Sequence, residues 1–122
     1  MVCIQIIEDE AALRSEIAER FMFEGFDTIE SGDGEAGIQD ALQQRPDIIL
    51  CDIWMPRRDG FGVLEYVRSH PELSHIPFIV MTSLIDDQVS RKVYSMGANH
   101  FINKPFSFPD LLRVIAKYTN SG

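Results

Sequence analysis

The sequence predicts an α/β fold in which one parallel sheet is covered by helices on both sides. Apolar runs alternate with helical patterns five times along the chain. The runs are apolar almost throughout, as strands buried on both faces must be. With 122 residues, 45% of them hydrophobic, the chain is the size of one domain and can form a core without a disulfide or structural metal.

The first strand is "VCIQII", 2–7. Leu13, Ile17 and Phe21 follow at spacing four, on one face of a helix, and Gly25 stops it where glycine is favoured beyond a helix end. "FDTIES", 26–31, reads as a second strand, polar enough for a sheet edge. A helix over 35–44 turns Ile38, Ala41 and Leu42 inward, and Pro46 prevents it continuing. "DIILC", 47–51, is the third strand. A glycine-bearing loop, 53–60, leads to a helix over 61–69 with Phe61, Leu64 and Val67 facing in. Pro71 and Pro77 bracket a polar connection. "FIVMT", 78–82, is the fourth strand, followed by a helix over 85–96 that Gly97 closes. "HFIN", 100–103, is a short fifth strand. Pro109 opens a last helix reaching 118, with Leu112, Ile115 and Ala116 on one face. The tail "NSG" reads as a fraying end, and no repeat, linker or low-complexity tract is present.

The chain has 19 acids against 11 bases, a formal net charge of −8. Phosphate neutralisation needs clustered Lys and Arg, so direct nucleic-acid or anionic-membrane binding by this domain is not expected. No apolar run approaches the ~20 residues of a membrane span, and "MVCIQII" lacks the basic region of a signal peptide. Met1 directly ahead of the first strand reads as a natural N-terminus. Cys3 and Cys51 lie in apolar runs and read as small buried hydrophobes. Aligning Asp9 with Asp52 offsets these two cysteines by about five residues, roughly 16 Å at the rise of a strand, too far to bridge. A reducing, cytoplasmic setting fits these features.

In such a fold, sites form outside the carboxyl ends of the strands. Strand one ends in Glu8 and Asp9, strand three in Asp52, strand four in Thr82 and Ser83, and strand five runs into Lys104. Any one of these has an ordinary explanation as a cap, a strand end or a solvated residue. Together, three crowded carboxylates repel, and at least one would retain its proton at neutral pH. A divalent cation removes that penalty, and a few hard oxygen ligands with room for water suit Mg²⁺. Asp52, on the central strand, would place one oxygen on the metal and leave the other free to attack phosphorus, giving an aspartyl phosphate. Mg²⁺, Lys104 and the Thr82 hydroxyl would each take a phosphoryl oxygen. A backbone carbonyl near Trp54 would complete the metal site.

These residues resemble the receiver (CheY-like) domain of two-component response regulators, over essentially the whole chain, 1–122. The acidic pair is Glu8-Asp9, and "DIWMPRRDG" from Asp52 matches the pattern D-x-x-M-P-x-x-D-G. Thr82 ends strand four, and Lys104-Pro105 follows strand five in "NKPF". The resemblance implies a flavodoxin-like three-layer sandwich with strand order 2-1-3-4-5 and five helices. It implies a signalling domain rather than a classical enzyme: Asp52 accepts a phosphoryl group from a sensor histidine kinase or phosphotransfer protein, and the domain catalyses its own slow dephosphorylation. It also implies a switch, in which Thr82 moves toward the phosphoryl group and Phe101 turns inward. The surface of helix four, strand five and helix five then changes for a downstream effector, and a homodimer through that surface is compatible with it. The Lys104-Pro105 bond is often cis in such domains. Two departures stand out. Glu8 replaces the commoner Asp, which makes Asp9 the safer direct metal ligand, and Trp54 is bulky where smaller or polar residues often occur. That ring is expected to shield an acyl phosphate from water.

"GDGEAG", 32–37, is a literal G-x-G-x-x-G. Asp33 and Glu35 would oppose a pyrophosphate at the helix N-terminus, so a turn with acids well placed at a helix start is the better reading. A phosphohydrolase would need a general acid near Asp52, and position 54 is Trp. A metal-binding or purely structural domain that is never phosphorylated is the third reading, against which Asp52, Thr82 and Lys104 argue. His70, His75 and His100 lack metal-ligand spacing and read as loop or surface residues. Arg57 and Arg58 read as solvated.

Overall fold

The computed structural model describes residues 1–83 and 86–119. Five strands, β1 (Cys3–Ile7), β2 (Asp27–Ser31), β3 (Ile48–Asp52), β4 (Phe78–Thr82) and β5 (His100–Asn103), alternate with five helices. These are α1 (Ala11–Phe23), α2 (Gly34–Gln44), α3 (Gly60–Ser69), α4 (Asp87–Ser95) and α5 (Phe108–Thr119). All neighbouring strands run parallel, in the order β2-β1-β3-β4-β5. The expected first residue of helix four, 85, and the tail "NSG" lie outside the described residues.

Side chains alternate across each strand. β3 therefore sends Ile48 and Leu50 to one face and Ile49 and Cys51 to the other. The first pair joins Ile4, Ile6, Ile79 and Met81 beneath Ile17 and Phe21 of α1 and Leu111 and Ile115 of α5. The second joins Ile7, Phe78 and Val80 beneath Ile38 of α2, Leu64 and Val67 of α3 and Val93 of α4. A fully buried Ile, Leu or Phe contributes about 1.5–3 kcal/mol, so these two apolar layers fix which face each helix takes. Asp33, Asp59 and Asp86 cap α2, α3 and α4 by accepting from the backbone N–H of Ala36, Gly62 and Val89. Gly25 and Gly97 adopt φ of 95° and 103° just past α1 and α4, where a side chain would be strained.

Three local expectations need correction. On α5, Leu111 and Ile115 are buried and Leu112 packs against the same layer, while Ala116 is exposed. The helix turns its i, i+4 pair into the apolar layer that also holds Phe21 and Met81, and position 116 faces out. The connection 70–77 is not simply polar, because Leu73 and Ile76 are buried in the core. The chain can bend inward there because Arg68 binds the carbonyls of Ser74 and Ile76, at 3.2 and 2.7 Å. Finally, Ile7 lies opposite Cys51, so Glu8 rather than Asp9 is level with Asp52. Cys3 and Cys51 are one residue nearer in register than expected, and both remain free thiols.

Candidate functional site

From β1 the chain crosses to β2 on one side and returns to β3 on the other. The divergence opens a crevice at the carboxyl ends of β1 and β3. Glu8 and Asp9 follow β1, and Asp52 ends β3. One carboxylate oxygen from each of the three lies within 4.8 Å of the others. Glu8 and Asp52 are 1% and 6% exposed, whereas Asp9 is open to solvent. Lys104 bridges the two buried acids, its Nζ donating to Glu8 Oε1 at 2.5 Å and to Asp52 Oδ2 at 3.2 Å.

The electrostatics follow from that crowding. Burial pushes the Glu8 carboxyl above its ordinary range, and the Asp52 charge adds to the push. Hydrogen bonds from Lys104 and from the Glu10 backbone N–H pull the other way without cancelling it. For Lys104, burial opposes the ammonium, but the hydrogen bond to Glu8 and the charges of Asp52 and Glu8 outweigh it and raise its pKa. One ammonium facing three carboxylates leaves uncompensated negative charge. A hard divalent cation meeting several carboxylate oxygens, with solvent reaching the Asp9 side, fits that donor set.

Of the remaining sequence-predicted residues, Thr82 and Ser83 lie at the end of the adjacent strand β4. Thr82 is buried at the end of β4, and its carbonyl accepts the Lys104 backbone N–H at 3.0 Å. That bond ties the Lys104 backbone to the neighbouring strand end. The Lys104-Pro105 peptide is cis. Ser83 is exposed and lines a cavity of about 590 Å³ beside Lys104, together with Leu13, Ile17, Phe106 and Phe108. Trp54 and Phe101 take other partners. The Trp54 ring is 44% exposed and meets Phe61 edge-on at 5.9 Å. Phe101, half-buried on β5, meets Tyr94 of α4 edge-on at 6.0 Å.

Sequence reasoning missed two features. Arg14 Nη1 donates to the Glu8 carbonyl at 2.8 Å while its Nε pairs with Glu30 at 3.3 Å, which pins the turn that presents Glu8 and Asp9. A base six positions beyond Glu8 on a polar helix face was the available signal, and it does not stand out from other surface bases. Arg57 and Arg58 are not simply solvated: they pair with Asp33 and Glu35, both at 2.6 Å. Adjacent bases in one loop and alternating acids in another were legible, but their juxtaposition was not.

The chain matches the family model of the response regulator receiver domain over residues 4–116. It is 32% identical over 98% of its length to a probable transcriptional regulator, ycf27, of Guillardia theta, of which it covers 47%. It spans about half the length of the first such relatives it matches. It is 30% identical over 92% of its length to a probable chemotaxis protein CheY of Rhizobium etli, of which it covers 88%. Its fold is similar to the receiver domain of a sensor histidine kinase from Pseudomonas aeruginosa, with a TM-score of 0.89 and 24% identity, covering 98% of each chain. That neighbour's structure has a magnesium ion coordinated in its active-site cleft. The chain thus belongs to the response regulator receiver domains, the signal-receiving modules of two-component phosphorelay systems. The strand order places it among the CheY-like members of the flavodoxin-like fold.

Proposed function

We propose that residues 1–122 form a receiver domain whose Asp52 accepts a phosphoryl group from a phosphohistidine on a sensor histidine kinase or phosphotransfer protein. The observation that carries this is Lys104 Nζ within hydrogen-bonding distance of both Glu8 and Asp52, beside an exposed Asp9. An Asp52 carboxylate oxygen bonds to phosphorus as the phosphorus–nitrogen bond of the donor breaks, and the imidazole leaves with the bonding pair and takes up a proton. Lys104 neutralises one phosphoryl oxygen and the Thr82 hydroxyl, at the adjacent strand end, hydrogen-bonds another. Glu8, Asp9, Asp52 and the Trp54 carbonyl would hold Mg²⁺, which when bound supplies charge neutralisation at the phosphoryl oxygens. The magnesium in the Pseudomonas receiver domain supports that assignment.

The same acyl phosphate is open to water, so the domain dephosphorylates itself, and the Trp54 ring slows that attack. A Trp54→Asn variant is expected to decay faster once phosphorylated. The switch runs through Thr82 and Phe101 to the surface of α4, β5 and α5, where a downstream effector or a second copy docks. The domain itself is read as cytoplasmic, and no described helix is long and apolar enough to cross a membrane. Intact mass after incubation with acetyl phosphate and Mg²⁺ tests the reading. A switch gains one labile phosphoryl, a phosphatase turns over continuously, and an inert domain does neither. Uptake by Asp52→Asn equal to that of the parent would overturn it.

A further inference from the structure

We infer that Asp33, Gly34 and Glu35 form a dock that positions the 53–59 loop, and through it Trp54, beside Asp52. The glycine pattern at 32–37 thereby acquires a role unrelated to nucleotides. Asp33 Oδ2 pairs with Arg57 Nη1 and Glu35 Oε1 with Arg58 Nε, both at 2.6 Å. Between the two pairs, the α2 backbone approaches the loop so closely that a Cβ on Gly34 would fall 2.1 Å from the Arg58 carbonyl oxygen. No residue larger than glycine fits there without moving the loop.

The loop conformation carries a matching cost. Arg57 has φ of 69°, in the left-handed region that non-glycine residues avoid. Such a backbone is unfavourable and persists only where the surroundings over-determine it. An exposed ion pair alone contributes little. Here two pairs and one close backbone contact act on adjacent residues, and Asp33 is itself held in place as the cap of α2. On its far side the same loop sets the Trp54 ring against Phe61, over which Lys92 Nζ lies 4.0 Å from the ring centroid. The loop is therefore gripped at both ends of its span.

The geometric claim stands by itself, while its kinetic consequence rests on the phosphoacceptor role proposed for Asp52. Trp54 is the one tryptophan in the chain, so its fluorescence reports the loop without any phosphodonor. Gly34→Ala raises helix propensity in α2 yet cannot coexist with the present loop position. Glu35→Arg breaks one pair, and adding Arg58→Glu restores it in reverse. Acrylamide quenching of Trp54 is expected to change in Gly34→Ala and in Glu35→Arg, and to return toward the parent in the double variant. The half-life of the form labelled with acetyl phosphate and Mg²⁺ is expected to shorten by about threefold or more in the two single variants, a size typical of coupled neighbours, and to recover in the double. Parental quenching in a folded Gly34→Ala, or no recovery in the charge-reversed double, overturns the dock. Altered quenching with an unchanged half-life overturns its effect on the acyl phosphate. A parent that takes up no phosphoryl removes the phosphoacceptor reading, and quenching still decides the dock.

Discussion

Lys104 and Arg68 are half-buried cations at opposite ends of the same sheet, and their surroundings differ in kind. Lys104, at the carboxyl end, faces Glu8 and Asp52, with Asp9 close by. Arg68, at the amino end, donates to the carbonyls of Gly97, Ile76 and Ser74 at 2.9, 2.7 and 3.2 Å and to Asn99 Oδ1 at 2.8 Å. All four of those acceptors are neutral. Burial accordingly lowers the Arg68 pKa, while the acids raise that of Lys104. A cation satisfied by dipoles fastens loops and asks for nothing more. A cation outnumbered by carboxylates leaves a charge imbalance that a metal and a phosphoryl group can resolve. Asn99 extends the lower fastening, since its Oδ1 also accepts the Phe78 N–H and its carbonyl accepts the Tyr118 hydroxyl.

The largest expected effect tests the upper cation. Lys104→Met should slow phosphoryl uptake on the order of 100-fold, as loss of one preorganised oxyanion donor does, with far-UV circular dichroism unchanged. Uptake within a few-fold of the parent would make the two cations alike and break the comparison. Next, Arg68→Met should lower urea stability by about 2 kcal/mol, a figure already reduced for its partial exposure. Phosphoryl uptake per folded molecule should remain parental, because Arg68 touches only loops at the far end. A smaller effect comes from the metal. Mg²⁺ at tenfold over its Kd should stabilise the parent and Arg68→Met by about 1.4 kcal/mol. Asp9→Asn should show a reduced gain at the same concentration in thermal melts.

Acid should act oppositely at the two ends, and this is the smallest effect. Burial, with Lys117 nearby, depresses the His100 pKa below its usual 6.5. The unfolded chain then binds more protons near that pH, so the neutral His100 contribution is present above pH 6.5 and is lost as pH falls. Glu8, raised above its usual 4.5, does the reverse: the folded state binds the proton first, and stability is gained as pH falls through its folded pKa. His100→Asn should flatten the decline of thermal midpoint as pH falls through about 6.5. An unchanged slope would place the acid response elsewhere.

The rim of the candidate site was legible because strand ends are local features. Apolar runs stop at Glu8, Asp52, Thr82 and just before Lys104, and a parallel sheet brings such ends to one edge. What each residue touches was not legible. That Lys104 reaches Glu8 as well as Asp52 depends on register, and the sequence alignment put Asp9 level with Asp52 where the sheet puts Glu8. Nor did composition distinguish Arg14, Arg57 and Arg58 from ordinary surface bases, since their carboxylate partners lie 16 to 24 positions away in the chain.

By itself, then, the sequence determined the number, kind and order of the elements, because periodicity, proline and glycine act within a few residues. It also determined which chemical groups end the strands. The tertiary structure alone decided the one-residue register of β1 on β3, the inward bend of Leu73 and Ile76, the face that α5 presents, and the pairing of the 53–59 loop with α2. Those outcomes depend on distant segments competing for the same buried volume and the same few counter-charges, and no local pattern in the chain encodes who wins.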